Sequence, residues 1–235
     1  MKKNLKKNRG KLRSEEAYDE IKNQIISLKL SPGAQLDEAN LGKELGMGRT
    51  PVREALLQLV AGQLVEMVPN RGFFVRHITL DDVRDLYETM LMLHRGSVSI
   101  AIRRMEPEQI EELQEINEEL KNAWLRREIL KVTLLNSQFH RILNEATGNI
   151  FLKAYLNNLQ DQSQRLAFLT YSKGKGDGQF TGHGQLSYDD HEALVQSLKK
   201  GDEEEAAGIM RRHIKVSHER VLKYVSELIE IDRTE

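Results

Sequence analysis

Four side chains in the second half of the chain have the types and spacing of a metal site. Asn136 and His140 stand four residues apart in Asn136-Ser137-Gln138-Phe139-His140, so on a helix they share one face. His191 lies in DDHEALVQSLKKGD and His213 in MRRHIKVSH. If each stretch is helical, three helices can bring three imidazoles and one amide oxygen to a point inside a bundle, as helix-bundle metal sites do. Imidazole and oxygen donors suit Zn, Ni or Mn. Such a set leaves coordination positions open for the carboxylate of a small ligand. Spacing alone leaves the plainer alternative standing, because a lone histidine is more often a hydrogen-bonded core or surface residue. His183 and His218 read as structural or solvent-facing. Three imidazoles with an open position can also activate water, which would make an enzyme. No carboxylate or nucleophile stands at motif spacing beside these histidines, so catalysis is not expected.

A second constellation lies near the front, in LGKELGMGRTPVREALLQLVAGQLV from Leu41 to Val65. Arg49 sits at the start of a helix and Arg53 four residues on, so both point to one face near its N-terminus. The planar fork of arginine matches the O6 and N7 acceptors of guanine together. Thr50 and the unpaired amides of the helix start can hold a phosphate. Arg71, beside Gly72 at the tip of an expected hairpin, is placed to reach a minor groove or the backbone. Each of these residues alone is an ordinary surface charge or turn residue; their combination on one scaffold is what points to DNA.

The scaffold is legible from punctuation and periodicity. Ser14 can cap a helix carrying Ala17, Ile21, Ile25 and Leu28, which Ser31-Pro32-Gly33 ends. A short helix over Asp37 to Leu45 stops at Gly46, and Met47-Gly48 makes a tight turn. Thr50 is then expected to cap a third helix with Pro51 at its first position, running to about Ala61. Two extended pieces, Leu64–Val68 and Phe73–Arg76, flank Pro69-Asn70-Arg71-Gly72, a hairpin signal. Three helices and a hairpin, with a tight turn before the third helix, make a winged helix-turn-helix.

After Thr79 the strand signals stop. Helices are expected from Thr79 to about Met105, from Pro107, and over Glu128–Ala146, Ile150–Tyr171, Ser187–Lys199 and Asp202–Ile231, giving an all-α bundle. Asp202 and Glu205 resemble a capping box after Gly201. The fold class is therefore mainly α, divided into a basic arm at 1–13, a winged helix-turn-helix at 14–78 and a helical domain at 79–235. The segment from Ser172 to Gln185 has five glycines in 14 residues and reads as a mobile loop, either a plain connection or a lid.

Composition agrees with two jobs. Through Thr79 there are 14 Lys and Arg against 9 Asp and Glu, a net +5; the remainder has 21 against 27, a net −6. A basic front half suits a polyanion. The first 13 residues hold seven positive charges and no negative one, an arm that either touches phosphates or is a solvated tail. No apolar stretch follows it, so it does not read as a signal peptide, and a cytoplasmic protein without a membrane span is expected. With no cysteine there is neither a disulfide framework nor a thiolate zinc site.

GRTPVREAL at 48–56, followed by Gln63-Leu64-Val65 and Asn70-Arg71-Gly72-Phe73-Phe74-Val75, resembles the DNA-binding domain of the GntR family of bacterial regulators. The likeness covers about Glu15 to His77. It implies that Arg49, Thr50, Arg53, Arg71 and Gly72 meet double-stranded DNA, and that a homodimer binds a near-palindromic operator. Some members carry a basic DNA contact at the start of the second helix, where this chain has Asp37-Glu38-Ala39-Asn40. From about Leu80 to Val225 the chain is similar to the FCD ligand-binding domain of the FadR-type branch, through Phe139-His140, Thr147-Gly148-Asn149, His191 with Glu192-Ala193-Leu194, Gly201-Asp202 and MRRHI at 210–214. That resemblance implies metal ligands at Asn136, His140, His191 and His213, with Asn136 where an aspartate is commoner. A neutral amide binds a divalent cation less strongly than a carboxylate. The resemblance further implies a small carboxylate effector controlling a repressor of a metabolic operon. His94, Arg95 and Arg165 are candidates to face that effector, and His77-Ile78-Thr79 is the expected hinge. A helical half that binds effector without metal, or only dimerises, is the alternative.

Overall fold

The computed structural model describes the backbone of residues 2–173 and 179–232 and the side chains of residues 13–172 and 187–227. The chain forms two compact units, residues 1–78 and 79–235. No helix among the described residues is long and apolar enough to cross a membrane.

The first unit runs α1 (Lys2–Ile26), β1 (Gln35–Leu36), α2 (Glu38–Glu44), α3 (Arg49–Ala61), β2 (Val65–Val68) and β3 (Gly72–Val75). The apolar stripe of α1 closes on that of α3: Ala17, Ile21 and Ile25 are buried against Val52, Ala55, Leu56 and Leu59, with Leu36, Leu41, Phe73 and Val75 completing the core. The strands form an antiparallel sheet in the order β1-β3-β2. Strand β1, two residues long, was too short to carry an alternation, and it pairs Gln35 with Phe74 and Leu36 with Phe73. Helix α1 starts at Lys2, well before Ser14, so the backbone of the basic stretch is helical; its side chains up to residue 12 lie outside the described ones.

Helix α2 is capped by Asp37, whose carboxylate accepts from the Asn40 amide at 2.7 Å. The turn that follows brings the Met47 amide back to the Gly42 carbonyl at 2.8 Å. Gly42 is buried there, and a Cβ on it would lie 2.9 Å from the Met47 carbonyl oxygen, so the close approach needs a glycine. Helix α3 starts two residues earlier than expected. Gly48 is its cap and offers no side-chain bond, which places Thr50 and Pro51 inside the first turn. Pro51 fits there because that turn's amides have no helical partner in any case.

The second unit holds α4 (Leu80–Ile102), α5 (Pro107–Leu125), α6 (Ile129–Ala146), α7 (Ile150–Lys173), α8 (Gln179–Lys200) and α9 (Glu203–Asp232). Thr79 and Asp82 form a reciprocal capping box at the start of α4. Asp202 accepts from the Glu205 amide at 2.9 Å at the start of α9. Helix α4 packs along α9, α6 lies between α5 and α7, and α8 bridges α5 and α9. Helix α8 reaches back to Gln179, so half of the glycine-rich segment is helical rather than loop. Residues 174–178 and the side chain of His183 lie outside the described residues.

Candidate functional site

In the first unit, Arg49, Thr50, Arg53, Arg71 and Gly72 are all exposed. Arg53 comes off the first turns of α3 and Arg71 off the β2–β3 turn, where Asn70 (φ 61°) and Gly72 (φ 92°) take left-handed backbone. The Arg53 guanidinium lies 5.9 Å from the ring of Phe73, and that of Arg71 lies 5.3 Å from the ring of Phe74. Gln35 donates from Nε2 to the Arg71 carbonyl at 2.9 Å, which ties β1 to the wing tip. A groove runs between these elements, with Arg53, Arg71 and Gly72 on its walls. Glu38, where a basic contact would stand in some members, pairs with Arg53 Nη1 at 3.1 Å. The acid at the start of α2 therefore pairs with an arginine of α3.

In the second unit, α6, α8 and α9 each contribute one imidazole. Nitrogen atoms of His140, His191 and His213 all lie within 4.8 Å of one another. Ring centroids are 5.2 Å apart for His140 and His191, 5.2 Å for His140 and His213, and 4.9 Å for His191 and His213. Phe139 stacks on His191 at 3.9 Å and 6°, fixing that ring's plane. Asp190 Oδ2 approaches His213 Nδ1 at 3.6 Å, while its Oδ1 accepts from Arg212 Nε at 3.0 Å and Nη2 at 2.7 Å.

The electrostatics suit a cation ligand set. His140 and His191 are buried, and burial, followed by the nearby His213, holds their pKa values well below the usual histidine range. Both rings therefore stay neutral and keep a lone pair. His140 Nδ1 and both ring nitrogens of His191 are buried without a hydrogen-bond partner. Buried polar atoms of this kind are rare and costly unless something completes them. A divalent cation held by the three imidazoles would do so, and Asn136, one turn before His140, lines the same cavity with an amide oxygen to offer. The donor set fits the metals named from the sequence.

That cavity is lined by Tyr87, Met90 and His94 of α4, Asn136 and His140 of α6, Gln160, Ser163, Ala167 and Tyr171 of α7, and His213, Ser217 and Arg220 of α9, among others. His94 is buried, its pKa pushed down to about 4 by burial and then by His213, and its ring lies 6.2 Å from that of His140. The other two effector candidates are elsewhere. Arg95 points outward from α4 into a separate surface groove with Met92, Gly96 and Arg211. Arg165 is buried in α7 but does not line the cavity. Arg220, which sequence reasoning missed, is the cavity's guanidinium. The available signal was its place seven residues after His213, on the same face of α9.

Residues 13–75 match the family described as bacterial regulatory proteins, gntR family, and residues 85–216 match the FCD domain. The chain belongs to the GntR family. Within it, the FCD domain accounts for more than half of this regulator's length. It is 26% identical over 214 residues to the uncharacterized HTH-type transcriptional regulator YdhC of Bacillus subtilis, covering 89% of this chain and 91% of that one. It is 34% identical over 125 residues to the HTH-type transcriptional regulator McbR of Escherichia coli, covering 52% and 55% of the two chains. The solved structure of E. coli McbR/YncC superposes with a TM-score of 0.75 at 24% identity, covering 88% of this chain and 97% of that one. As a GntR/FCD protein, the chain is a DNA-binding transcriptional regulator. The family and these relatives are regulators of transcription rather than enzymes.

Proposed function

We propose that the chain is a cytoplasmic, homodimeric repressor of a metabolic operon, released from or tightened on its operator by a small organic acid. Arg49, Thr50, Arg53, Arg71 and Gly72 would form the operator contact. Asn136, His140, His191 and His213 would hold a Zn, Ni or Mn ion, and the effector's carboxylate would take an open coordination position. The observation that carries the reading is the meeting of three imidazoles at a polar cavity in the FCD unit, two of them, His140 and His191, buried with unpartnered ring nitrogens. When bound, the metal supplies a fixed positive charge to receive an anion. The protein's own residues set its position and the shape of the cavity around it.

In a dimer, recognition helices fit a palindrome when spaced by about 34 Å, one turn of DNA. An effector that rotates the two front units by a few degrees spoils or completes that match, with residues 77–79 as the hinge. Metal content and acid binding of the purified chain test the reading beside a His140→Ala/His191→Ala variant. The expected result is about one ion per chain in the wild type, none in the variant, and acid-dependent stabilisation only in the former. Equal, negligible metal in both would remove the metal from the proposal.

A further inference from the structure

Arg220 enters the cavity from α9 with its guanidinium 4.4 Å from the ring of Tyr171. Its Nη1 donates to Tyr171 Oη at 2.8 Å and its Nη2 to Ser217 Oγ at 3.1 Å. Ser217 is held in turn by the Tyr87 hydroxyl at 2.8 Å. Arg220 Nε is buried and has no partner. Every group that touches this cation is neutral, and among the described residues no carboxylate pairs with it. A half-buried guanidinium without a counter-charge, its fork aimed into a polar cavity, is the arrangement by which proteins recognise a carboxylate. The contrast within the same helix is direct: Arg212, on the outer face, is neutralised by Asp190.

His213, Ser217 and Arg220 stand at i, i+4 and i+7, a single stripe spanning about 10 Å along α9. The cavity thus has an imidazole end and a guanidinium end. Met90, Ala167 and Ile214 supply apolar lining. Its interior is about 20 Å³, room for about one water. Any acid must therefore displace something, and the Tyr171–Arg220 pair is a contact that a second anion can replace with a stronger one.

We propose that the effector is a small dicarboxylate, with one acid group at the imidazole cluster and the other on Arg220. This rests on the reading that the site receives an organic acid. Arg220 acts as the selector: a monocarboxylate satisfies the imidazole end and leaves the guanidinium without its counter-charge, whereas a dicarboxylate completes both.

The test is calorimetric titration of the full-length chain, with Zn present, by two matched pairs of probes. Succinate is set against butyrate, and malate against 3-hydroxybutyrate, in the wild type, Arg220→Gln and Arg220→Lys. The expected result is that each dicarboxylate binds about tenfold or more tightly than its partner. Arg220→Gln should cut dicarboxylate affinity by about the same factor and leave monocarboxylate affinity within about twofold, with Arg220→Lys between. Equal binding of both members of each pair by the wild type overturns the proposal, as does an equal loss of both in Arg220→Gln. Binding of neither class removes the organic-acid reading itself, a different outcome from unselective binding. If Arg220→Gln lacks a cooperative melt, the wild-type selectivity and Arg220→Lys decide the question.

Discussion

Asp190 divides its carboxylate between two partners, Oδ1 to Arg212 and Oδ2 toward Nδ1 of His213 at 3.6 Å. Burial pushes this carboxyl up, but His213 and Arg212 outweigh it and hold the pKa below the ordinary aspartate value, so the group is charged. A carboxylate on one imidazole nitrogen fixes the tautomer and turns the other nitrogen toward the cluster. Asp190→Asn is therefore expected to weaken metal binding by about 10- to 100-fold in a chelator competition, while Arg212→Gln leaves it unchanged. Equal losses in the two variants would mean that Asp190 acts only through its pairing with Arg212, which holds α8 to α9. At the other site, Arg53→Ala is expected to weaken operator binding about 10-fold or more, as a lost guanine contact does, with no matching loss on random duplex. Equal losses on both duplexes would make Arg53 a phosphate contact. That His140, His191 and His213 would meet was legible because each stands on a stretch with clear helical periodicity, and the bundle brings their nitrogens within 4.8 Å of one another. Arg220 was missed because its place seven residues after His213 gives its face of α9 but not whether that face meets solvent or a cavity.

Helices with caps and periodic apolar stripes were legible nearly to their ends: Thr79 caps α4, Pro107 opens α5 and Asp202 caps α9. The failures have local causes. Thr50 had the look of a cap beside Pro51, but the α2–α3 turn already ends at Gly48, so helical backbone begins at Arg49. Strand β1 owes its existence to its pairing with β3, a long-range contact that two residues cannot announce. Glycines at 182 and 184 suggested a loop, yet α8 runs through them because its later turns are anchored on α5 and α9. The same scale supports a stability prediction. Gly42→Ala puts a methyl 2.9 Å from the Met47 carbonyl, a backbone atom of the turn itself. The turn must open, and a loss of about 1–3 kcal/mol is expected in denaturant unfolding of the first unit. Gly48→Ala, where nothing lies within 4 Å of a new Cβ, should cost much less. Equal losses would place the cause in backbone freedom rather than in the close approach.

At the scale of the whole molecule, the chain is two units with separate hydrophobic cores, one carrying the groove and the other the cavity. Regulation requires free energy to pass between them, and that requirement has a consequence independent of any structural detail of the path. If a saturating acid changes operator affinity by some factor, saturating operator must change acid affinity by the same factor in the same direction. Couplings of this kind are typically about 1–3 kcal/mol, or about 5- to 150-fold. Two titrations of the full-length chain with Zn present measure it: fluorescence anisotropy of a labelled operator with and without acid, and calorimetry of the acid with and without operator. Salt must be identical in both, because phosphate contacts make DNA affinity fall steeply with ionic strength. Equal factors are expected, and they should shrink together in Arg220→Gln, where the acid loses its hold on α9. A factor that appears for DNA but not for acid would show that the acid acts on something other than the folded, operator-bound dimer, and the sensor mechanism would fall even with both sites intact.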